Sequence, residues 1–295
     1  MVLDFALAAA SSVLLALGLL MMKSRAAALP LAQGSGTARA VLAWLKDPVW
    51  IGGLAVQALG YALYIIAVAG APVSMVAVMM QGGIALFVLF SAVLLGERAR
   101  PREWVGIATI VAAIAMLSLS LAGGTAEGPI DVPSLTIFSL GGIVIALGPI
   151  VAKRLSGSGA TQAAASGVAF GLAALYTKAM TDVFIADPHA ALALRIAADP
   201  YVYAAIAANI VGLVMLQNAF HELRGMIAMP LSSALSNVVP IVGGMVVFGE
   251  RLPEEPAARA MRIGAFVLTV LAAVMLAASQ EGAPPASSPL EARKA

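Results

Sequence analysis

The chain contains no cysteine, two histidines and few charges. Without cysteine there is no disulfide and no thiolate metal site, and nothing marks a redox compartment. His189 and His221 are too few to form a histidine cluster within one chain. Charged residues make up 11% of the sequence, where a soluble domain carries roughly 25%. A net charge of +2 offers no nucleic acid a basic face, so no nucleic-acid partner is expected. There is no P-loop pattern, so ATP hydrolysis is not encoded. His221-Glu222 does not begin a zinc-protease motif, because Gly225 stands where the second histidine would be. A Gly-Asp pair of the intramembrane aspartyl protease kind is also missing. The reading is therefore of a non-enzyme with no catalytic residue, no metal site and no cofactor.

What the chain has instead is apolar length: 61% of its 295 residues are hydrophobic. The apolar runs are ~20 residues long, enough to cross a bilayer as helix. Nine spans are expected, at about 3–22, 49–69, 72–95, 102–122, 134–152, 160–183, 201–220, 225–248 and 260–279. The first lacks a basic leader and runs into Lys23 and Arg25, the reverse of a cleavable signal, so it counts as a span. Residues 26–48 read as a loop with room for one amphipathic helix. The Pro/Ser-rich tail from Gln280 reads as disordered.

The runs are duplicated. PVSMVAVMMQGGIALFVLFSAVLLGER (72–98) and GMIAMPLSSALSNVVPIVGGMVVFGER (225–251) each end in Gly-Glu-Arg, at Gly96 and Gly249, 153 residues apart. Lys23 closes the first run and Lys178 sits near the end of a later one, 155 residues on, and Gln57 and Asn209 stand 152 apart. Near-constant spacing of three landmarks indicates an internal repeat. Twelve Lys and Arg flank the ends of odd-numbered spans and five the other ends, which puts the N-terminus outside and the C-terminus in the cytoplasm. Five spans separate the two copies, so their orientations are opposite. The expected fold is all-α and polytopic: a four-helix repeat (1–122), a connector with the fifth span (123–158), an inverted second repeat (159–279) and the tail (280–295).

These residues carry a resemblance. The first span with its closing lysine, the 72–98 run and WVGIATIVAAIAML resemble the small multidrug resistance proteins. LQNAFHELRGMIAMPLSS through Gly-Glu-Arg-Leu resembles the same pattern again. Two fused copies with a connector look like the drug/metabolite transporter superfamily, closest to its NIPA-type or EamA-like branch. The NIPA-type branch implies Mg²⁺ transport. The multidrug proteins carry a glutamate eight residues before the lysine; here Leu15 and Phe170 occupy those places. Proton-coupled export of lipophilic cations by that carboxylate is not implied.

Polar residues at membrane depth need a partner or a task. Gln57, Tyr61 and Tyr64 share one helix face at i, i+4 and i+7. Gln81, Asn209 and Gln217 lie within other spans, and Ser233, Ser236 and Asn237 form a stripe with Pro240. This set is expected to bind substrate between the repeats, the alternative being interhelical hydrogen bonds alone. Asp182, one turn beyond Lys178, and Glu222 are candidates for gating or ion entry, against simple snorkelling and local pairing. The glycine pairs 82–83, 141–142 and 243–244 read as close-packing positions, and the Gly-Glu-Arg ends as anchors and turn formers.

The leading expectation is a secondary transporter of a small solute in a bacterial plasma membrane. It would work by alternating access across an inverted-repeat interface. Its partners are the lipid bilayer and a small-molecule or ion substrate, with a homodimer left open. One alternative is a NIPA-like Mg²⁺ carrier, although Mg²⁺ favours carboxylates and none lies at mid-span. Another is a non-transporting membrane subunit of a lipid or polysaccharide pathway.

Overall fold

The computed structural model describes residues 2–32, 36–70, 73–97, 100–120, 130–151, 158–186, 198–249 and 253–278. The tail from Gln280 lies outside this set. Among the described residues the chain is all helix: α1 (Val2–Ala26), α2 (Thr37–Trp44), α3 (Pro48–Gly70), α4 (Val73–Leu94), α5 (Pro101–Ser120), α6 (Val132–Val151), α7 (Gly159–Ala186), α8 (Pro200–Glu222), α9 (Gly225–Val247) and α10 (Pro256–Ala278). All but α2 are at least 20 residues long. Among the described residues four segments are long and apolar enough to cross a membrane: Ala6–Ala26, Val132–Pro149, Pro200–Glu222 and Gly225–Val247. This is the make-up of a helical membrane protein, in which each helix satisfies its own backbone.

The helices start where the sequence sets them up to start. Proline opens α3, α5, α8 and α10, where its missing N–H costs nothing and its fixed φ suits the first turn. Asp199 caps α8 by accepting from the Tyr201 N–H (2.8 Å), and Asp47 caps α3 by accepting from Val49 (3.1 Å) and Trp50 (2.9 Å). Gly96 and Gly249 end α4 and α9 at φ 67° and 61°, a left-handed turn that glycine takes without a Cβ penalty.

Neighbour relations recur along the chain. α1 packs on α3 and α4, α3 on α4, and α4 on α5. In the same order, α7 packs on α8 and α9, α8 on α9, and α9 on α10. Across the middle, α4 meets α9 and α5 meets α10, while α6 leans on α7, α8 and α9. The largest core lies at this seam. It joins Leu20 of α1, Phe87 of α4, Leu216 and Phe220 of α8, and Met226 and Ile227 of α9. The α1–α3 crossing is close because Gly18 and Gly53 face each other. A Cβ on Gly18 would stand 2.6 Å from the Gly53 carbonyl oxygen, and one on Gly53 2.7 Å from that of Gly18. Of the expected glycine pairs, Gly83 packs on Ser12, Gly142 on Leu172 and Gly243 on Leu175, whereas Gly141 faces open space.

Helix ends gather at two poles. At the first, the ends of α1, α4 and α8 meet the starts of α5, α7 and α9. At the second, Asp131 before α6 donates its N–H to the Val247 carbonyl at the end of α9 (3.0 Å). Arg262 of α10 reaches the Ser120 carbonyl at the end of α5 there (3.1 Å), and Lys178 of α7 lies over the Phe248 ring, 4.3 Å from its centroid. Thus Lys23 sits at one pole and Lys178 at the other.

Candidate functional site

The polar residues singled out from the sequence fall into three groups. On α3, Gln57 is half-buried with its side chain against Gly18 of α1. Tyr61 is 55% exposed, and its ring tilts against the half-buried Tyr64 at 5.8 Å. On α9, Ser233 is buried and Ser236 and Asn237 are half-buried. Both of the latter donate back to the Ser233 carbonyl, at 3.0 and 2.7 Å. Asn209 stands on an exposed part of α8, where its amide donates to the Ala205 carbonyl one turn back (2.9 Å). Gln81 and Asp182 are helical in backbone, on α4 and α7, and their side chains lie outside the described residues. The Lys178–Asp182 pairing therefore falls outside them too. Among the described residues α3 makes no extended contact with α8 or α9.

The densest chemistry lies elsewhere, at the first pole. The Lys23 ammonium, at the end of α1, is buried. It donates to the carbonyls of Phe220 and Leu223 (2.6 Å for Leu223), the unpaired end of α8. Glu97 follows the Gly96 turn at the end of α4. Its two carboxylate oxygens accept from the N–H groups of Gly225 (2.8 Å) and Met226 (3.1 Å), the start of α9. Lys23 and Glu97 face each other at 3.6 Å. A cation thus meets the negative end of one helix and an anion the positive end of the next, as the helix dipoles favour. Together they grip the turn between α8 and α9 from both sides. Gly225 has to be small here, since a Cβ would lie 3.1 Å from the Phe87 ring and 3.2 Å from the Lys23 stem.

A second pair reinforces the grip. Arg224, in the gripped turn, donates to the fully buried carboxylate of Glu103 on α5. Glu103 also accepts from the Arg100 N–H (2.6 Å), which caps α5. Two cations and two anions meet here with no net charge, Lys23 and Glu103 buried and Glu97 and Arg224 half-buried. Isolated buried charges would cost several kcal/mol each, so the four stand or fall together. The Phe87 and Phe220 rings stack beneath them at 5.8 Å, and Lys23 lies 5.7 Å from the Phe220 centroid.

Beneath this clasp, Gln217 of α8 is 3% exposed, and neither its amide oxygen nor its nitrogen has a hydrogen-bond partner among the described residues. Asn218, the next residue, is 1% exposed. It accepts from the Ala32 N–H and donates to the Ala32 carbonyl, both at 2.9 Å, and so pins the segment that follows α1. Arg25 pairs with Asp47 at 2.8 Å. Burial pushes the Asp47 carboxyl up, but the Arg25 hydrogen bond and charge and the Trp50 and Val49 N–H groups outweigh it and hold it below its ordinary value. Glu222 is half-buried beside Gly159, at the start of α7.

Lys23 therefore does not snorkel. It turns into the protein and crosses 197 residues of sequence to reach Phe220. Glu97 is more than a turn former, because the glycine turn aims its carboxylate at a second helix. The signal for this pairing was in the sequence: lysine and Gly-Glu-Arg are both duplicated at the same spacing. Near the second Gly-Glu-Arg, Lys178 stands beside Phe248, and Glu250 lies outside the described residues. Comparison with family models, curated proteins and solved structures finds no match to this chain.

Proposed function

We propose that the chain is a secondary transporter of a small polar solute, built from two inverted four-helix repeats joined by α6. In this reading α1, α3, α4 and α5 form one repeat (1–122) and α7, α8, α9 and α10 the other (159–279). All nine long helices cross the membrane, with the N-terminus outside. The observation that carries the proposal is the recurrence of one packing scheme in both halves with the poles exchanged. α1 packs on α3 and α4 as α7 packs on α8 and α9, yet Lys23 and Lys178 lie at opposite poles. Inverted repeats place a site near the membrane midplane and permit one half to rock against the other. Gln57, Tyr61, Tyr64, Gln81, Asn209, Gln217, Ser233, Ser236 and Asn237 are the residues proposed to meet the solute. As neutral donors and acceptors they suit a polar metabolite.

The clasp gives the rocking a gate. It is made of charged hydrogen bonds between the halves, which water can replace when that pole opens. Closed, it seals the pole above Gln217. The absence of native cysteine makes this testable with single-cysteine reporters in oriented vesicles. Gln217→Cys should resist a membrane-impermeant maleimide from the clasp side and become reactive when Glu97→Gln is added. Asn237→Cys should label from the opposite side and be protected by transported solute. The proposal fails if Glu97→Gln leaves Gln217→Cys unreactive while proteoliposomes move no solute from a broad metabolite panel.

A further inference from the structure

We propose that α2 is a membrane-surface anchor that binds the headgroups of anionic lipids. This inference rests on membrane insertion alone and stands whether or not the chain carries a solute. A membrane-long apolar segment ends at Ala26 and α3 begins at Pro48, so α2 lies at one face of the bilayer in either orientation of the chain. Protein contacts set its rotation. Ala40 and Trp44, one turn apart, are 2% and 1% exposed. Trp44 donates its ring N–H to the Pro30 carbonyl (2.9 Å), and its ring lies 6.0 Å from that of Trp50. The Asp47 cap and the Arg25 pair hold the far end.

With that side turned inward, the remaining residues divide into two sectors at ~100° per residue. The helical turn runs on past Trp44, since the Leu45 N–H reaches the Val41 carbonyl (3.0 Å) and the Lys46 N–H that of Ala43 (3.2 Å). Ala38, Leu42 and Leu45 share one sector, with Leu42 59% and Leu45 47% exposed. Val49, 39% exposed, extends the apolar surface onto α3. Arg39 and Lys46 occupy the neighbouring sector, both exposed. A protein-facing, an apolar and a basic sector in rotation describe a helix lying in the headgroup layer. The leucines enter the acyl boundary and the cations meet phosphate. Charge complementarity selects anionic lipid over zwitterionic lipid. The apolar sector is continuous with the membrane-facing surface of α3, where Ile51 and Leu59 are exposed.

The test uses the full chain in nanodiscs of phosphatidylcholine mixed with phosphatidylglycerol. A fluorophore on Leu42→Cys, the only thiol present, should be quenched by a spin label near the headgroup end of an acyl chain, and not by aqueous iodide. Spin-labelled phosphatidylglycerol should quench it more strongly than spin-labelled phosphatidylcholine. Arg39→Gln and Lys46→Gln should each lower that preference by up to about fivefold, with the unfolding midpoint unchanged. Quenching by iodide would place the helix in water, and quenching by neither agent would mean that another protein covers it. A lipid preference that survives the double Gln variant would show that the basic pair does not read the headgroup. Each of these three results overturns the proposal.

Discussion

Replacing Glu97 with glutamine keeps the shape of the clasp and removes its charge. Lys23 then remains buried, still bonded to the Phe220 and Leu223 carbonyls, with its counter-ion gone. At 3.6 Å and an effective dielectric of ~20, the lost attraction is about 4.6 kcal/mol gross. The start of α9 also exchanges a carboxylate acceptor for a neutral amide, and hydrogen bonds to charged groups are worth ~1.5–3 kcal/mol against ~1 for neutral ones. Part of the gross figure returns, because the glutamine is cheaper to bury than a carboxylate. Removing one member of a buried pair costs ~3–5 kcal/mol in measured cases, and a loss of about 3 kcal/mol is expected here. Unfolding in detergent, followed by tryptophan fluorescence, reads the change, since Trp44 and Trp50 lie at the same pole. Lys23→Met should cost a similar amount, as it leaves Glu97 and two carbonyls without their cation. The double variant should lose less than the sum of the singles, with a coupling of about 1–3 kcal/mol. Single losses below ~0.5 kcal/mol that simply add would refute the clasp as an energetic unit.

Four further outcomes follow from the packing and the caps. Gly18→Val should block assembly of α1 on α3, because the new Cβ meets the Gly53 backbone 2.6 Å away and backbone cannot move aside. Gly141→Ala, with open space around it, should leave yield and unfolding midpoint unchanged or slightly raised. Asn218→Ala should cost ~1–3 kcal/mol in the same unfolding assay, by stranding both backbone groups of Ala32. Asp47 carries a pH signature. Its folded pKa lies below its unfolded value of about 3.8, so its stabilisation is complete above that value and is lost as pH falls through the folded one. The unfolding midpoint should therefore drop as pH falls below about 4 in the wild type and drop less in Asp47→Asn.

What the sequence determined by itself was whatever depends on neighbouring residues. Apolar length marks the membrane class, because a helix satisfies its own backbone without help from the rest of the fold. Each expected run does fall on a helix, and proline or aspartate marks the start of four of them. The repeated Gly-Glu-Arg, read as a turn former, does carry left-handed glycines at Gly96 and Gly249. The tertiary structure alone decided which polar groups meet. Lys23 and Glu97 look like ordinary span-end charges until packing brings the α8–α9 turn between them, more than a hundred residues along the chain. Asn209 and Gln217 share a helix and a chemistry, yet one is exposed and the other sealed, because the second half of α8 is wrapped on nearly every side and the first half on one. Periodicity reports how a helix is sided, and it cannot report which side another helix will cover. In α2 the same limit holds: Trp44 turns inward and Leu42 outward because Pro30 and Trp50 stand where they do.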